Sequence, residues 1–133
     1  MIYLLDTHYL IWAIADSKKI SKKIRDLISD AEQQIFVSTI SFWEIALKSS
    51  LGKIEIAGIQ PEDIPAICTT IGFEIIELSA ADSSSYHLLK VSHHKDPFDR
   101  ILIWQAIRNG YALISSDEQI NKYRLDGLTV LTK

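Results

Sequence analysis

A chain of 133 residues is long enough to bury one hydrophobic core, and we predict a single domain over residues 1–133. Hydrophobic residues make up 47% of the chain and charged residues 23%, which excludes a disordered tail. The formal net charge of -3 at pH 7 counts against a protein that attracts nucleic acid through overall basic charge.

Targeting and redox signals are also weak. The longest apolar stretches are strand-sized or broken by charge, and the N-terminus lacks the basic region and cleavage site of a signal peptide. We therefore expect a cytoplasmic protein with no membrane partner. The single cysteine, Cys68, lies in an apolar helical pattern, which predicts a buried thiol and not a nucleophile.

The first half of the chain predicts strands that alternate with helices. Residues Ile2 to Leu5 form a continuous apolar run before Asp6, which is typical of a strand buried on both faces and central in a parallel sheet. Helical spacing and capping residues then predict a helix from Thr7 to about Ala15, a helix beginning at Ser21, a strand from Gln34 to Thr39, a helix opened by Ser41 that reaches about Leu51, and a short extended piece from Lys53 to Gly58.

The second half continues this alternation. It predicts a helix from Pro61 that Gly72 ends, a strand from Phe73 to Leu78, a helix capped by Ser79, a helix from Asp96-Pro97 that Asn109-Gly110 closes, a strand from Tyr111 to Ile114, a short helix from Asp117, and a strand from Leu128 to Leu131. We therefore predict an α/β fold, a three-layer α/β/α sandwich with a central parallel sheet.

Four acidic residues stand at predicted chain reversals. Asp6 and Asp117 follow strands, whereas Glu44 and Asp99 lie one turn into helices. Ligands of open parallel sheets bind beyond the carboxyl ends of the strands, where Asp6, the turn before Glu44 and Asp117 can converge. Asp99 joins them only if its helix starts at the same edge. Clustered carboxylates repel one another, so the site either holds protons at neutral pH or recruits a cation. Mg²⁺ suits such a site best because it prefers oxygen ligands and keeps waters that can attack a phosphodiester.

Each acid also has a structural explanation. Ser41-x-x-Glu44 matches a capping box, which explains Glu44 as well as a metal site does. Asp96 is most simply an N-cap, and local sequence slightly favours the same role for Asp117. A carboxylate at the end of a doubly buried strand has few structural partners, so for Asp6 we favour a functional role.

Basic and aromatic residues give weaker signals. Of the basic clusters at residues 18–25 and 93–100, we expect only the second to lie near the acids, as a loop that meets phosphate and not as a zinc site. Lys48, one turn after Glu44, predicts either an ion pair with Glu44 or a phosphate contact. Three tryptophans in apolar helical patterns are expected in the core or at interfaces: Trp12, Trp43 and Trp104.

Three stretches of the chain resemble motifs of the PIN-domain ribonucleases, specifically the VapC toxins of type II toxin-antitoxin pairs. They are residues 3–8 (YLLDTH), residues 41–48 (SFWEIALK) followed by 51–53 (LGK), and residues 93–106 (HHKDPFDRILIWQA). The resemblance runs almost end to end. One departure is the turn Ser115-Ser116-Asp117, which replaces the family's common threonine-x-aspartate but keeps a hydroxyl.

The resemblance implies a parallel sheet between helices, a homodimer, RNA as the substrate, and a small cognate antitoxin that covers the groove. It implies Mg²⁺, or Mn²⁺ as a substitute, at the acids Asp6, Glu44, Asp99 and Asp117. We expect Asp6 and Asp99 to hold the metal, Glu44 to complete or orient its shell, and Asp117 to assist. The residues expected to contact RNA phosphates are Lys48, Arg100 and His94.

Two other functions remain open. In the first, the acids are only caps, and the chain is a non-catalytic PIN-like module that binds RNA or a protein. In the second, Asp6 accepts a phosphoryl group, as in receiver domains or dehalogenase-like phosphatases. We disfavour phosphotransfer because those phosphatases need a second aspartate two residues after the first, where this chain has His8.

Overall fold

The computed structural model describes residues 1–90 and 96–131. In this part of the chain, five strands form one sheet in the order β3-β2-β1-β4-β5, and every neighbouring pair is parallel. The predicted parallel α/β/α fold and the central position of the first strand are confirmed. The strands are β1 (Ile2–Leu5), β2 (Gln34–Ser38), β3 (Glu74–Ile76), β4 (Ala112–Ile114) and β5 (Thr129–Leu131).

Helices connect these strands and agree closely with the predicted ones. The α-helices are α1 (Thr7–Ala15), α2 (Lys22–Ser29), α3 (Thr39–Ser50), α4 (Ile64–Thr70), α5 (Ala80–Ser84) and α6 (Pro97–Asn109). Short 3₁₀ helices occupy Ser17–Lys19, Pro61–Asp63, Tyr86–Leu88 and Glu118–Asp126. Helix α6 ends at Gly110, whose φ of 71° lies in the left-handed region that glycine adopts without a Cβ penalty.

One prediction about local structure is wrong, and it concerns the start of α3. The segment from Lys53 to Gly58, predicted only as a short extended piece, is not a strand of this sheet, and its Ile54 and Ile56 pack against the hydrophobic cluster on one face of the sheet. Helix α3 begins at Thr39, two residues before Ser41, because Ser38 is the N-cap and its hydroxyl accepts a hydrogen bond from the amide of Ile40 at 3.1 Å.

The hydrophobic core lies on both faces of the sheet. Leu4 on β1 belongs to one cluster with Leu102 and Ile103 of α6, whereas its neighbour Leu5 belongs to the other with Leu10 of α1. Successive side chains of a strand point to opposite faces, so a central strand covered on both sides must be apolar throughout. This requirement explains why the first strand is a continuous apolar run.

The strand order creates a crevice at the carboxyl end of the sheet. From β1 the chain continues to β2 on one side, and it later returns as β4 on the other side of β1. In doubly wound sheets this reversal of direction is where ligands bind. The first residues beyond these strands, Asp6 after β1 and Ser115 after β4, therefore border the crevice.

None of the helices within the described ranges is long and apolar enough to cross a membrane.

Candidate active site

Asp6 is the last residue before α1 and is also the N-cap of that helix. Its Oδ1 accepts a hydrogen bond of 2.8 Å from the amide of Tyr9, and the side chain is buried. The expectation that Asp6 has few structural partners was wrong. Helix α1 follows β1 without a loop, so the unpaired amides of its first turn point at the strand end.

The surroundings of Asp6 disfavour its charge. Burial raises the pKa of the Asp6 carboxyl above its ordinary value of 3.8. The amide of Tyr9, the hydroxyl of Ser115 and the charge of His8 oppose this rise, whereas the nearby Glu44 raises the pKa further. Asp6 and Glu44, which are 38 positions apart in the chain, therefore interact electrostatically in the fold.

Glu44 is buried in the middle of α3 and caps nothing. Its Oε1 accepts a hydrogen bond of 2.6 Å from the Thr7 hydroxyl, and its Oε2 lies 2.5 Å from Lys48 Nζ. The hydroxyl oxygen of Ser41 lies 3.0 Å from that of Thr7. The capping-box explanation of Glu44 was wrong because Ser41 is already inside the helix. A buried carboxylate without a capping role is unusual unless it is paired, as it is here.

Lys48 forms the predicted ion pair with Glu44. Its burial lowers the pKa of the ammonium, but the hydrogen bond and charge of Glu44, together with the charges of Asp96 and Asp99, outweigh that effect and raise it. The ammonium also lies 5.6 Å from the centroid of the Phe98 ring. Lys48 thus connects the buried acid of α3 to the first turn of α6, where Asp99 lies.

The other two acids lie on α6 and directly before the last 3₁₀ helix. Asp99 is half-buried in the first turn of α6, behind the predicted N-cap Asp96, whose Oδ1 accepts from the amide of Phe98 at 2.9 Å. Asp117 is half-exposed and caps the 3₁₀ helix that follows it, as predicted, accepting from the amide of Gln119 at 2.9 Å. Within residues 1–90 and 96–131, no three His, Cys, Asp or Glu side chains are close enough to hold a metal ion by themselves.

Arg100 uses its guanidinium inside the fold. Nε donates to the Tyr86 hydroxyl at 2.8 Å, Nη1 to the Tyr123 hydroxyl at 2.7 Å, and Nη2 to the carbonyl of Leu89 at 3.2 Å. These bonds join three separate segments around α6, which favours a structural role over a phosphate contact. His94, the other expected phosphate contact near α6, lies outside the described residues.

Sequence reasoning missed the neutral polar residues that hold the acids. Thr7, Ser41 and Ser115 are all buried, and each is close to Asp6 or Glu44. The available signal was a hydroxyl directly after each strand or one turn into the next helix, where an apolar residue would otherwise complete the core. Such residues can satisfy buried carboxylates without adding charge.

The fold and the buried acid pair thus define a parallel α/β protein with a polar site at the carboxyl ends of its central strands. The model of the PIN domain family matches residues 3–125, and the chain belongs to that family.

Comparisons with individual proteins agree. Ribonuclease VapC22 of Mycobacterium tuberculosis is 23% identical over 121 residues, which cover 91% of each protein. The fold is also similar to a chain in the crystal structure of VapBC2 from Rickettsia felis bound to a promoter DNA fragment. The TM-score is 0.72 at 22% identity, and the match covers 100% of this chain and 99% of the other. A chain of DNA-bound VapBC from Salmonella typhimurium has a TM-score of 0.69 at 15% identity, with coverages of 99% and 98%.

Proposed function

We propose that this protein is a Mg²⁺-dependent endoribonuclease that acts as the toxin of a toxin-antitoxin pair. The observation that carries the proposal is Glu44, a buried carboxylate with no capping role, held beside the buried Asp6 at the sheet crevice. The likeness to a VapC ribonuclease supports RNA as the substrate. The likeness to VapBC structures supports an antitoxin as the partner.

The donor set fits Mg²⁺. This ion is usually held by one or two carboxylates and several waters, so a pair of acids suffices without a cluster of three. We propose that Asp6 and Asp99 hold the ion, Glu44 completes or orients its shell, and Asp117 assists from the neighbouring strand end. When bound, the ion would lower the pKa of a water and offset negative charge on the phosphate, and Mn²⁺ can replace it.

The residues around the acids keep them in place. Thr7 and Lys48 each hold one oxygen of Glu44, which fixes the orientation of its carboxylate. We propose that Lys48, which is partly exposed, also contacts the phosphate of bound RNA, together with His94. For Arg100 the three hydrogen bonds inside the fold support a positioning role for α6 instead.

The test of the nuclease compares wild type with Asp6→Asn on a mixed RNA pool in Mg²⁺, Mn²⁺ or EDTA. Asparagine remains a good N-cap, so the substitution removes charge and keeps the start of α1. We expect cleavage that requires both metal and Asp6. Asp30→Asn, the same change at an exposed acid, is the matched control and should cleave normally. Equal cleavage by wild type and Asp6→Asn would overturn the proposal.

A metal titration separates the nuclease from a non-catalytic binding module. An ion that binds only the folded chain raises its melting temperature. We expect Mn²⁺ to stabilise the wild type and Asp30→Asn, and to stabilise Asp6→Asn and Glu44→Gln much less. If metal has no effect on any of them, the acids serve the fold alone and the binding module becomes the better account.

An exposed apolar stripe on α3 supports a protein partner. Trp43, Leu47 and Leu51 are spaced four residues apart and are 61%, 38% and 60% exposed. We propose that the free chain forms a homodimer. Light scattering after gel filtration measures its mass in solution. The double variant Trp43→Ser/Leu51→Ser tests whether this stripe forms the dimer; an unchanged dimer mass would place the contact elsewhere, and a monomeric wild type would refute the dimer.

A further inference from the structure

A cavity beside α1 is lined by residues of the segments that carry Asp6 and Asp117. Its volume is about 330 Å³, and its walls include Tyr9, Trp12, Lys18, Lys19 and Ser116. Small-molecule sites begin at about 300 Å³. Of the first basic cluster, which we expected to lie away from the acids, Lys18 and Lys19 line this cavity together with Ser116, the neighbour of Asp117.

Two walls of the cavity belong to the acid site itself. The amide of Tyr9 caps Asp6, and Ser116 directly precedes Asp117. The exposed His8 links the two regions, since its charge acts on Asp6 and its ring centroid is 6.1 Å from that of the cavity residue Trp12. A chain lying across Asp6 can therefore continue into the cavity.

Aromatic rings form one part of the wall. Trp12 is half-buried and is held edge-on by Tyr9 at a centroid distance of 5.2 Å. An indole fixed in this way loses little freedom when a flat group stacks on it. Stacking on aromatic side chains is the usual way in which proteins bind unpaired bases without reading their sequence.

Lysines form another part of the wall. Lys18 and Lys19 are exposed, and the contact of Lys19 Nζ with Asp16 is long at 3.7 Å and solvent-exposed on both sides. Such a pair is worth little and is readily exchanged for a phosphate. In a chain of net charge -3, this is a local concentration of positive charge beside an acidic site.

We propose that this cavity is a nucleotide subsite for single-stranded RNA, in which a base next to the cleaved bond stacks on Trp12 and its phosphate contacts Lys18 and Lys19. Base and phosphate are recognised by different walls, so the subsite accepts any base and selects unpaired RNA. This inference rests on the proposed function, because it assumes that the chain continuing from the acids is RNA.

Binding without cleavage tests the lysines. The experiment measures binding of a labelled ten-nucleotide RNA in EDTA by fluorescence anisotropy over a range of salt concentrations. It compares the wild type with Lys18→Ala/Lys19→Ala and with the matched control Lys22→Ala/Lys23→Ala. The control removes the same charge from the start of α2, outside the cavity. Each phosphate contact on a single strand contributes about 0.7 to the salt slope, so the cavity variant, which loses its contact with one phosphate, should lose about 0.7. We expect its Kd to rise about tenfold and the control to change little.

Stacking is tested at Trp12. Trp12→Phe keeps a ring and should bind within about threefold of wild type, whereas Trp12→Leu keeps bulk without a ring and should weaken binding about fivefold or more. Melting curves check that both variants fold. Equal binding by the Phe and Leu variants, or equal effects of the two lysine pairs, would overturn the subsite.

The same variants separate this inference from the nuclease. If wild type cleaves RNA in Mg²⁺ but the cavity variants bind as wild type does, the nuclease stands and the subsite fails. If the cavity variants lose binding and no form cleaves, the subsite stands and the nuclease fails. Binding of a duplex of the same sequence should not depend on Trp12. If Trp12→Leu weakens binding of the duplex as much as binding of the single strand, the subsite does not select unpaired RNA.

Discussion

Replacing Thr7 by valine removes the hydroxyl that holds Glu44 while keeping the shape of the side chain. Thr7 is buried, and its Oγ1 donates to Glu44 Oε1 at 2.6 Å and lies 3.0 Å from Ser41 Oγ. Valine offers neither a donor nor an acceptor. After the substitution, the buried carboxylate keeps only its ion pair with Lys48, and Ser41 loses a neighbour.

The expected loss follows from these contacts. A hydrogen bond to a charged group contributes about 1.5–3 kcal/mol, and a buried acceptor left without its donor loses that amount. For a chain of this length, 1 kcal/mol corresponds to about 3–5 °C in melting temperature, so we expect Thr7→Val to melt about 5–15 °C lower. A purely hydrophobic account predicts no loss, since valine buries more apolar surface.

Urea unfolding of wild type, Thr7→Val and Thr7→Ser measures this difference at pH 7. Serine keeps the hydroxyl and loses a methyl group, at a cost of about 1 kcal/mol. The expected order of stability is therefore wild type, Thr7→Ser, Thr7→Val, with equal m-values if the unfolded states are alike. Repeating Thr7→Val in a Glu44→Gln variant measures the coupling between the hydroxyl of Thr7 and the charge of Glu44. In that variant, Thr7→Val should lower the free energy of unfolding by at least about 1 kcal/mol less than it does in the wild type.

The reasoning is refuted if Thr7→Val is as stable as wild type or more stable than Thr7→Ser. An equal cost of Thr7→Val in both backgrounds would show that the hydroxyl acts on something other than the charge of Glu44.

Three further predictions concern other buried groups. Because the folded protein holds the proton of Asp6 above the ordinary pKa of 3.8, ionisation of Asp6 costs stability as the pH rises from there. Asp6→Asn should therefore gain stability relative to wild type between pH 4 and pH 8 in urea unfolding; a constant difference would contradict this. Arg100→Gln loses the positive charge and the three-way fork to Tyr86, Tyr123 and Leu89, and should unfold about 2 kcal/mol more easily with an unchanged salt slope for RNA binding; unchanged stability with a smaller salt slope would restore the phosphate contact. Burial raises the pKa of the Cys68 thiol to about 11, so iodoacetamide at pH 8 should modify it only in urea, and rapid labelling of the native chain would be the contrary result.

The fold was largely predictable because its main determinants are local. The apolar run before Asp6 is needed for a strand covered on both faces, and Asp96 with Pro97 marks the start of α6 within a residue. The segment at 53–58 was predicted only as an extended piece, because alternation along six residues does not distinguish a strand from a connection whose isoleucines pack singly against the core.

The site was predictable only in part because it depends on contacts across the sheet. The pairing of Glu44 with Thr7 joins α3 to α1, and no local pattern connects positions 37 residues apart. The N-cap of α3 was misplaced by three residues because Ser38 and Ser41 are both acceptable caps, and the structure uses Ser38. Because Ser41 was taken as the cap, the buried Glu44 was interpreted as part of a capping box.

Capping and metal binding are not competing roles for Asp6. A carboxylate has two oxygens and about four acceptor positions, and the amide of Tyr9 uses one of them at Oδ1. A strand that passes directly into a helix places its terminal acid both over the first amides of the helix and at the crevice where ligands bind. The cap fixes the orientation of the carboxylate, which a metal site also requires. Glu44, which caps nothing, is therefore the residue whose substitution separates the two roles: Glu44→Gln should reduce metal binding without shortening any helix, whereas a chain whose acids served only as caps would respond to neither metal nor that change.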